Sequence, residues 1–311
     1  MRLWSGARRI SWIWPFAGII LMGALVGVGA AGCGSGGEAT ESGQLKVVAI
    51  TTYLADIAQN VAGDRVRVAS LIPEGGDSHS FEPTPRDVKL LADGRMVILD
   101  IAGLSPLIDD LIEGSAHEGQ LVVEAATGLA GRPAAEGGGI DPHFWLDPVS
   151  VITYVENIRV ALSEVDPEGA DSYNANAEGY LAELKELDTW IVGEVERIPA
   201  ARRLLVTNHE EFGYFAARYG FKIVGAVFPS VSSEGAPSAQ QLAALVAEIR
   251  ATGAPAIFLE AGTNADLANE VARETRVEVV RDLYTHSLAQ NATSYIDMMR
   301  WDVARIVEAL L

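Results

Sequence analysis

The sequence predicts an α/β protein of two lobes, each a mostly parallel sheet flanked by helices, linked by one long spine helix. Three observations carry this expectation. Short apolar, β-branched runs alternate with helical stretches up to about Ala125, a stretch from Pro167 to Ile198 runs without an internal proline, and alternation resumes after Pro199.

Leu45 to Ile50 reads as a buried strand, and Thr51 or Thr52 caps the helix that follows through Ala62. Val66 to Ile72 reads as a second strand, Arg86 to Ala92 as a helix, Met96 to Ile101 as a third strand and Ser105 to Glu113 as a helix. From Pro148 the pattern changes. Val149 to Glu164 and Pro167 to Ile198 are charged stretches containing Ala and Leu, and the second would reach about 50 Å as one helix. The second lobe reads as strand Arg203 to Thr207, helix Phe212 to Tyr219, strand Lys222 to Phe228 and helix Ala239 to Thr252. Strand Ala256 to Glu260, helix Asn264 to Thr275, strand Val277 to Val280 and helix Thr293 to Leu311 complete it. The expected organisation is an N-terminal lobe at 44–147, a helical linker at 148–199 and a C-terminal lobe at 200–311. No convincing sequence repeat relates the two lobes.

The first 32 residues read as an export signal: Arg2, Arg8 and Arg9 precede an apolar run from Ile10 to Ala31. Ala30-Ala31-Gly32-Cys33 resembles the lipobox of bacterial lipoproteins, which implies cleavage at 1–32 and lipidation of Cys33, the one cysteine of the chain. An uncleaved anchor is the competing reading, since about 20 apolar residues span a bilayer. Residues 33–43 are small and polar, as a flexible tether would be. Either reading puts the folded body outside the cytoplasm, held at the cell membrane. With 42 Asp+Glu against 23 Lys+Arg, the formal charge of −19 repels a phosphate backbone and disfavours nucleic acid. Cations are the more natural partner.

Five histidines occur, and His79, His143, His209 and His286 sit where strands should end and loops begin. His79 lies in the proline-bounded run Gly76 to Pro85 and His143 in Asp141 to Pro148; His209 follows Leu204 to Thr207, and His286 lies in Leu283 to Leu288. Ligands of open α/β sheets collect at the carboxyl ends of strands, so two facing lobes would each contribute two histidines to a cleft. Any one of them alone is more often a histidine bonded to backbone. Together they suit a four-coordinate zinc site with Zn–N of about 2.0–2.1 Å. His117, in a polar turn with no supporting motif, reads as a surface residue.

Four stretches then resemble the cluster A-I zinc/manganese solute-binding lipoproteins, which feed ABC metal importers. They are Ile72-Pro73-Glu74-Gly75-Gly76-Asp77-Ser78-His79-Ser80-Phe81-Glu82-Pro83-Thr84, Asp141-Pro142-His143-Phe144-Trp145-Leu146-Asp147-Pro148, the run Val206 to Gly220, and Tyr284-Thr285-His286-Ser287-Leu288. In the last, His286 stands where many relatives have Asp. The resemblance implies a helical-backbone metal receptor, not an enzyme, that captures a divalent ion between its lobes and hands it to a membrane permease. Its metal ligands would be His79, His143, His209 and His286, and a monomer is expected. Four nitrogens favour Zn²⁺ over Mn²⁺, which prefers oxygen ligands. Asp282 is a rival fourth ligand, and Asp77, Glu82, Asp141 and Glu260 are candidates to orient imidazoles.

The alternatives are a manganese- or iron-binding relative with the same role, a receptor for a chelated metal or vitamin, and an exported zinc hydrolase. The hydrolase would need an open coordination position. It would also need a motif such as His-Glu-x-x-His, which is absent, and Ser232 and Ser233 lack a Gly-x-Ser-x-Gly elbow.

Overall fold

Val47 to Ala49 are fully buried, as a strand covered on both faces of a parallel sheet must be, and they form β1 (Val47–Ala49). The computed structural model describes residues 45–134, 139–231 and 236–311. The export signal, Cys33, the tether up to Gly43, and Ser232 and Ser233 lie outside the described residues.

The first sheet also holds β2 (Val68–Ser70), β3 (Met96–Leu99) and β4 (Leu121–Glu124), in the order β2-β1-β3-β4 and all parallel. Its crossovers are α1 (Thr52–Ala62), α2 (Pro85–Asp93) and α3 (Pro106–Ser115). The Thr51 hydroxyl accepts from Leu54 N and caps α1. Then come α4 (Pro148–Val165) and α5 (Ala170–Glu196). The second sheet, β6-β5-β7-β8, is built from β5 (Leu204–Thr207), β6 (Lys222–Ala226), β7 (Ala256–Glu260) and β8 (Glu278–Leu283), again all parallel. With it go α6 (Gly213–Tyr219), α7 (Ala239–Thr252), α8 (Asp266–Thr275) and the terminal α9 (Tyr295–Leu310). Among the described residues no helix is long and apolar enough to cross a membrane.

Side chains alternate across each strand, and the core follows that alternation. Val47, Ala49, Met96 and Ile98 face one cluster while Val48, Ile50, Val97 and Leu99 face another, under α2 and α3. In the second sheet Leu205, Ala256 and Phe258 join the first of these clusters, and Leu204, Val206, Ile257 and Leu259 pack beneath α7 and α8. The inner faces of both sheets therefore share one continuous core. The spine α5 supplies Tyr173, Ala177, Tyr180, Leu184, Leu187, Ile191 and Val195 to it, at steps of three and four residues that form a single apolar stripe.

Among the boundaries that differ from the sequence expectation, three have a physical reason visible in the structure. The spine is 27 residues, about 40 Å, because Pro167–Gly169 forms a separate 3₁₀ turn ahead of it. Gly169 permits that turn: a Cβ there would lie 2.6 Å from the Tyr173 ring and 2.5 Å from Arg65 Nε. Strand β2 starts late because the Gln59 amide takes the Val66 carbonyl (2.9 Å) and the Val68 N–H (2.9 Å). Strand β8 continues to Leu283 through a register shift beside Asp282, a non-glycine residue at φ +67°.

Candidate metal centre

His79 and His143 come from the first lobe and His209 and His286 from the second, all in loops beyond the carboxyl ends of strands. The loop after β2 carries His79, whose backbone N–H donates to Asp77 Oδ1 at 2.8 Å; the Thr84–Asp87 capping box then starts α2. His143 opens the 3₁₀ turn Phe144–Leu146, and both its backbone N and its Nδ1 meet Asp141 Oδ1, at 3.0 and 2.8 Å. The neighbouring Trp145 stacks on Tyr53 and donates from Nε1 to the Thr285 carbonyl at 2.7 Å, pinning the first lobe's loop to the second's. His209 follows β5 and His286 follows β8. Between them Glu260, the last residue of β7, meets His209 Nδ1 with Oε1 at 2.7 Å and His286 Nδ1 with Oε2 at 2.9 Å. Strands β5 and β7 flank the point where the order of the second sheet reverses, the usual place for a ligand in an open sheet.

A carboxylate only accepts, so these contacts put the proton on Nδ1 of His143, His209 and His286 and leave Nε2 as a lone pair. The Nε2 atoms of His143 and His209 lie 3.3 Å apart, and those of His79 and His286 are buried with no hydrogen-bond partner. One ligand atom from each of the four imidazoles lies within 4.8 Å of the others. The six ring-centroid separations fall between 5.1 and 5.6 Å. An ion at about 2.1 Å from each nitrogen has ring centroids about 3.2 Å away, and tetrahedral placement then spaces them by about 5.2 Å. The four rings can hold one tetrahedral ion.

Electrostatics divides the four imidazoles. Burial pushes the His79 imidazole down to about 3, with His286 and His209 adding to the effect, and drives His143 well below its usual range with help from its three neighbours. Burial also opposes charge on His286, but Glu260 overcomes it and raises that imidazole. Glu260 is in turn held well below the carboxylate range, because His209 and His286 outweigh its own desolvation. Glu260 thus favours charge on His286, whereas burial disfavours it on His79 and His143.

The other sequence candidates fall elsewhere. Asp282 is exposed on β8 and outside the cluster, so the rival fourth ligand is not among the gathered donors. Glu82 is exposed, and His117 is a surface residue bonded to the backbone carbonyls of Glu118 and Gly94. Glu211, which the motif reading passed over, is 1% exposed, with Oε2 3.9 Å from His209 Nε2 and 3.8 Å from His286 Nδ1. Burial, with Glu260 adding, pushes its carboxyl well up. It also lines a cavity of about 180 Å³ shared with Asp141, Glu210 and Arg132.

Comparison with known proteins decides the lineage. The family model described as zinc-uptake complex component A, periplasmic, matches residues 47–309. The chain belongs to this family. Its members are the zinc/manganese solute-binding proteins of cluster A-I, transport proteins and not enzymes, and the chain is a divalent-metal-binding component of an ABC transporter. Among similar members, the manganese-binding lipoprotein MntA of Halalkalibacterium halodurans is 35% identical over 300 residues, 95% of this chain and 98% of that protein. The iron-binding protein YfeA of Yersinia pestis is 34% identical over 271 residues, 85% of this chain and 86% of that protein. The periplasmic zinc-binding protein TroA of Treponema pallidum shares the fold, with a TM-score of 0.81 at 24% identity over 86% of this chain and 99% of that one.

Proposed function

We propose that the protein captures a single divalent ion, zinc foremost, on His79, His143, His209 and His286 and delivers it to an ABC importer permease. The observation that carries this reading is the near-equal spacing of four buried imidazoles, with Nε2 of His79 and His286 unpartnered and those of His143 and His209 3.3 Å apart. Neutral imidazole suits Zn²⁺ and ranks Mn²⁺ last. The protein works as a monomer, tethered by lipid on Cys33 after removal of 1–32, with its body outside the cytoplasm. Capture replaces the ion's water by four nitrogens from two lobes. Release requires the permease to withdraw at least one loop, because a closed four-ligand site sheds its ion slowly. The continuous core along α5 limits that movement to loops and small lobe shifts.

A manganese- or iron-carrying role is the second reading, favoured by the similarity to MntA and YfeA. Elemental analysis of the purified protein, followed by competition between zinc and manganese for the stripped protein at neutral pH, separates the two. One equivalent of zinc that manganese does not displace supports zinc as cargo. Preferential retention of manganese supports the second reading, and no binding removes both.

A further inference from the structure

Resting on the four-imidazole reading, we infer that Ser287 is a positioning residue that latches the His79 loop to the His286 loop, and that opening this latch sets the rate at which the ion leaves. The residue follows His286 in the second lobe, yet its hydroxyl reaches the first. Ser287 Oγ accepts the N–H of Gly75, in the loop that carries His79, at 2.7 Å, and it lies 3.2 Å from Oγ1 of Thr52 at the start of α1. Thr52 Oγ1 in turn accepts the Leu288 N–H at 2.7 Å, and Ser287 gives its own proton to the Leu288 carbonyl at 3.0 Å. The Thr52 hydroxyl is therefore the donor to Ser287, and both hydroxyl protons are placed. Thr51 and not Thr52 caps α1, which leaves Thr52 free for this crossing between lobes.

The bonds from Trp145 Nε1 to the Thr285 carbonyl, at 2.7 Å, and from Tyr295 Oη to the Trp145 carbonyl, at 2.6 Å, also join the lobes, but they run between fully buried rings of the shared core. Water cannot take over such a bond when it breaks, so breaking it is costly. The Ser287 knot lies at the rim. Ser287 is buried, Thr52 is half-buried and Gly75 is exposed, and a cavity of about 130 Å³ beside them is lined by Gly75, Gly76, Asp77, Gly262, Glu260 and His286. That lining runs from the exposed Gly75 and Gly262 to the buried Glu260 and His286, so water that takes over the Gly75 N–H opens the site while the core bonds stay intact. A polar tie that water can replace opens at lower cost than one that it cannot reach. His79 is also the least buried of the four imidazoles, at 8% exposure. Parting the loops at Ser287 draws His79 away from the other three, the withdrawal of one loop that release requires.

The test compares the full chain with Ser287→Ala and Thr52→Val, each of which removes one hydroxyl of the knot, and with Thr52→Ser, which keeps it. Zinc release into excess chelator, followed by stopped flow, should quicken about tenfold in Ser287→Ala and in Thr52→Val, the scale of one buried hydrogen bond left unmade, with capture changed by less than about twofold. The double variant should release little faster than either single one, because both changes break the same knot, and Thr52→Ser should release at the unmodified rate. The visible band of bound Co²⁺ should be the same in every variant, since the closed site keeps its four imidazoles. Unchanged release, a loss carried by slower capture, additive effects in the double variant, faster release in Thr52→Ser or a shifted Co²⁺ band would each overturn the latch. Amide exchange of the zinc-loaded unmodified protein is independent of how the variants fold. There the Gly75 N–H, though its residue is exposed, should exchange at least about tenfold more slowly than an unbonded amide, and unprotected exchange would also overturn the inference. Failure of the unmodified protein to bind zinc would refute the four-imidazole site itself, and the latch with it, whereas zinc binding with release unaltered in the variants refutes only the latch.

Discussion

Replacing Glu260 with Gln removes one oxygen from a carboxylate that uses both. Oε1 takes His209 Nδ1 at 2.7 Å and Asn208 Nδ2 at 2.9 Å, while Oε2 takes His286 Nδ1 at 2.9 Å. Gln keeps one acceptor, and its NH₂ can only donate. The imidazole that meets the NH₂ must move its proton from Nδ1 to Nε2, which removes the lone pair that the proposed site uses to hold the ion. Asp141→Asn is the internal comparison. There a single oxygen accepts both the backbone N and the Nδ1 of His143, so an amide keeps both bonds and loses only charge. Partners of ligating histidines are typically worth 10–100-fold in metal affinity, so Asp141→Asn should lose about tenfold and Glu260→Gln about 100-fold or more, roughly 1.4 and 2.7 kcal/mol. Competition for Zn²⁺ against a chromogenic chelator at neutral pH measures both, with circular dichroism to confirm folding. Equal losses in the two variants, or a Glu260→Gln protein with unchanged affinity, would refute the shared-acceptor argument.

Three further outcomes follow from the same structure. Because Glu260 raises His286, protons compete with zinc at that imidazole, and calorimetry in buffers of different ionisation enthalpy should report proton release that grows as pH falls; buffer-independent heats at every pH would contradict this. Asp302 is fully buried and pushed up to about 8 by desolvation, against the opposing bond from Tyr284 N. An acid with a raised folded pKa makes stability fall as pH rises from the unfolded value of about 3.9 to about 8, on the order of 5 kcal/mol in all; Asp302→Asn should flatten that decline in thermal melts, and parallel curves would exclude it. Leu187, at 0% exposure on the spine, should cost about 2–5 kcal/mol as Leu187→Ala in urea unfolding, and a loss under about 1 kcal/mol would deny the continuous core.

Much of this was legible in advance, because apolar alternation and proline or glycine punctuation are local signals. The expected α7 and β7 agree with the observed Ala239–Thr252 and Ala256–Glu260, and the four histidines share the expected strand-end setting. What sequence hid was set by tertiary pairing. The strand β4 (Leu121–Glu124) was not singled out, since its alternating exposure is set by its edge position beside β3. Asp282 at positive φ, and so the extension of β8, cannot be inferred from sequence, because even an Asp adopts that conformation only where the surrounding fold requires it. Glu210-Glu211 reads as an ordinary polar turn, and no periodicity tells which of two adjacent acids is buried against imidazoles. Glu260 was visible as an acid at a strand end, but its bond to two histidines from different strands exists only in the fold.

The most direct measurement is zinc affinity of the stripped protein beside His79→Ala, His143→Ala, His209→Ala, His286→Ala and the surface control His117→Ala. One equivalent should bind the unmodified protein and the control alike, and each of the four variants should lose affinity strongly. Full affinity in any of those four would contradict the four-imidazole site.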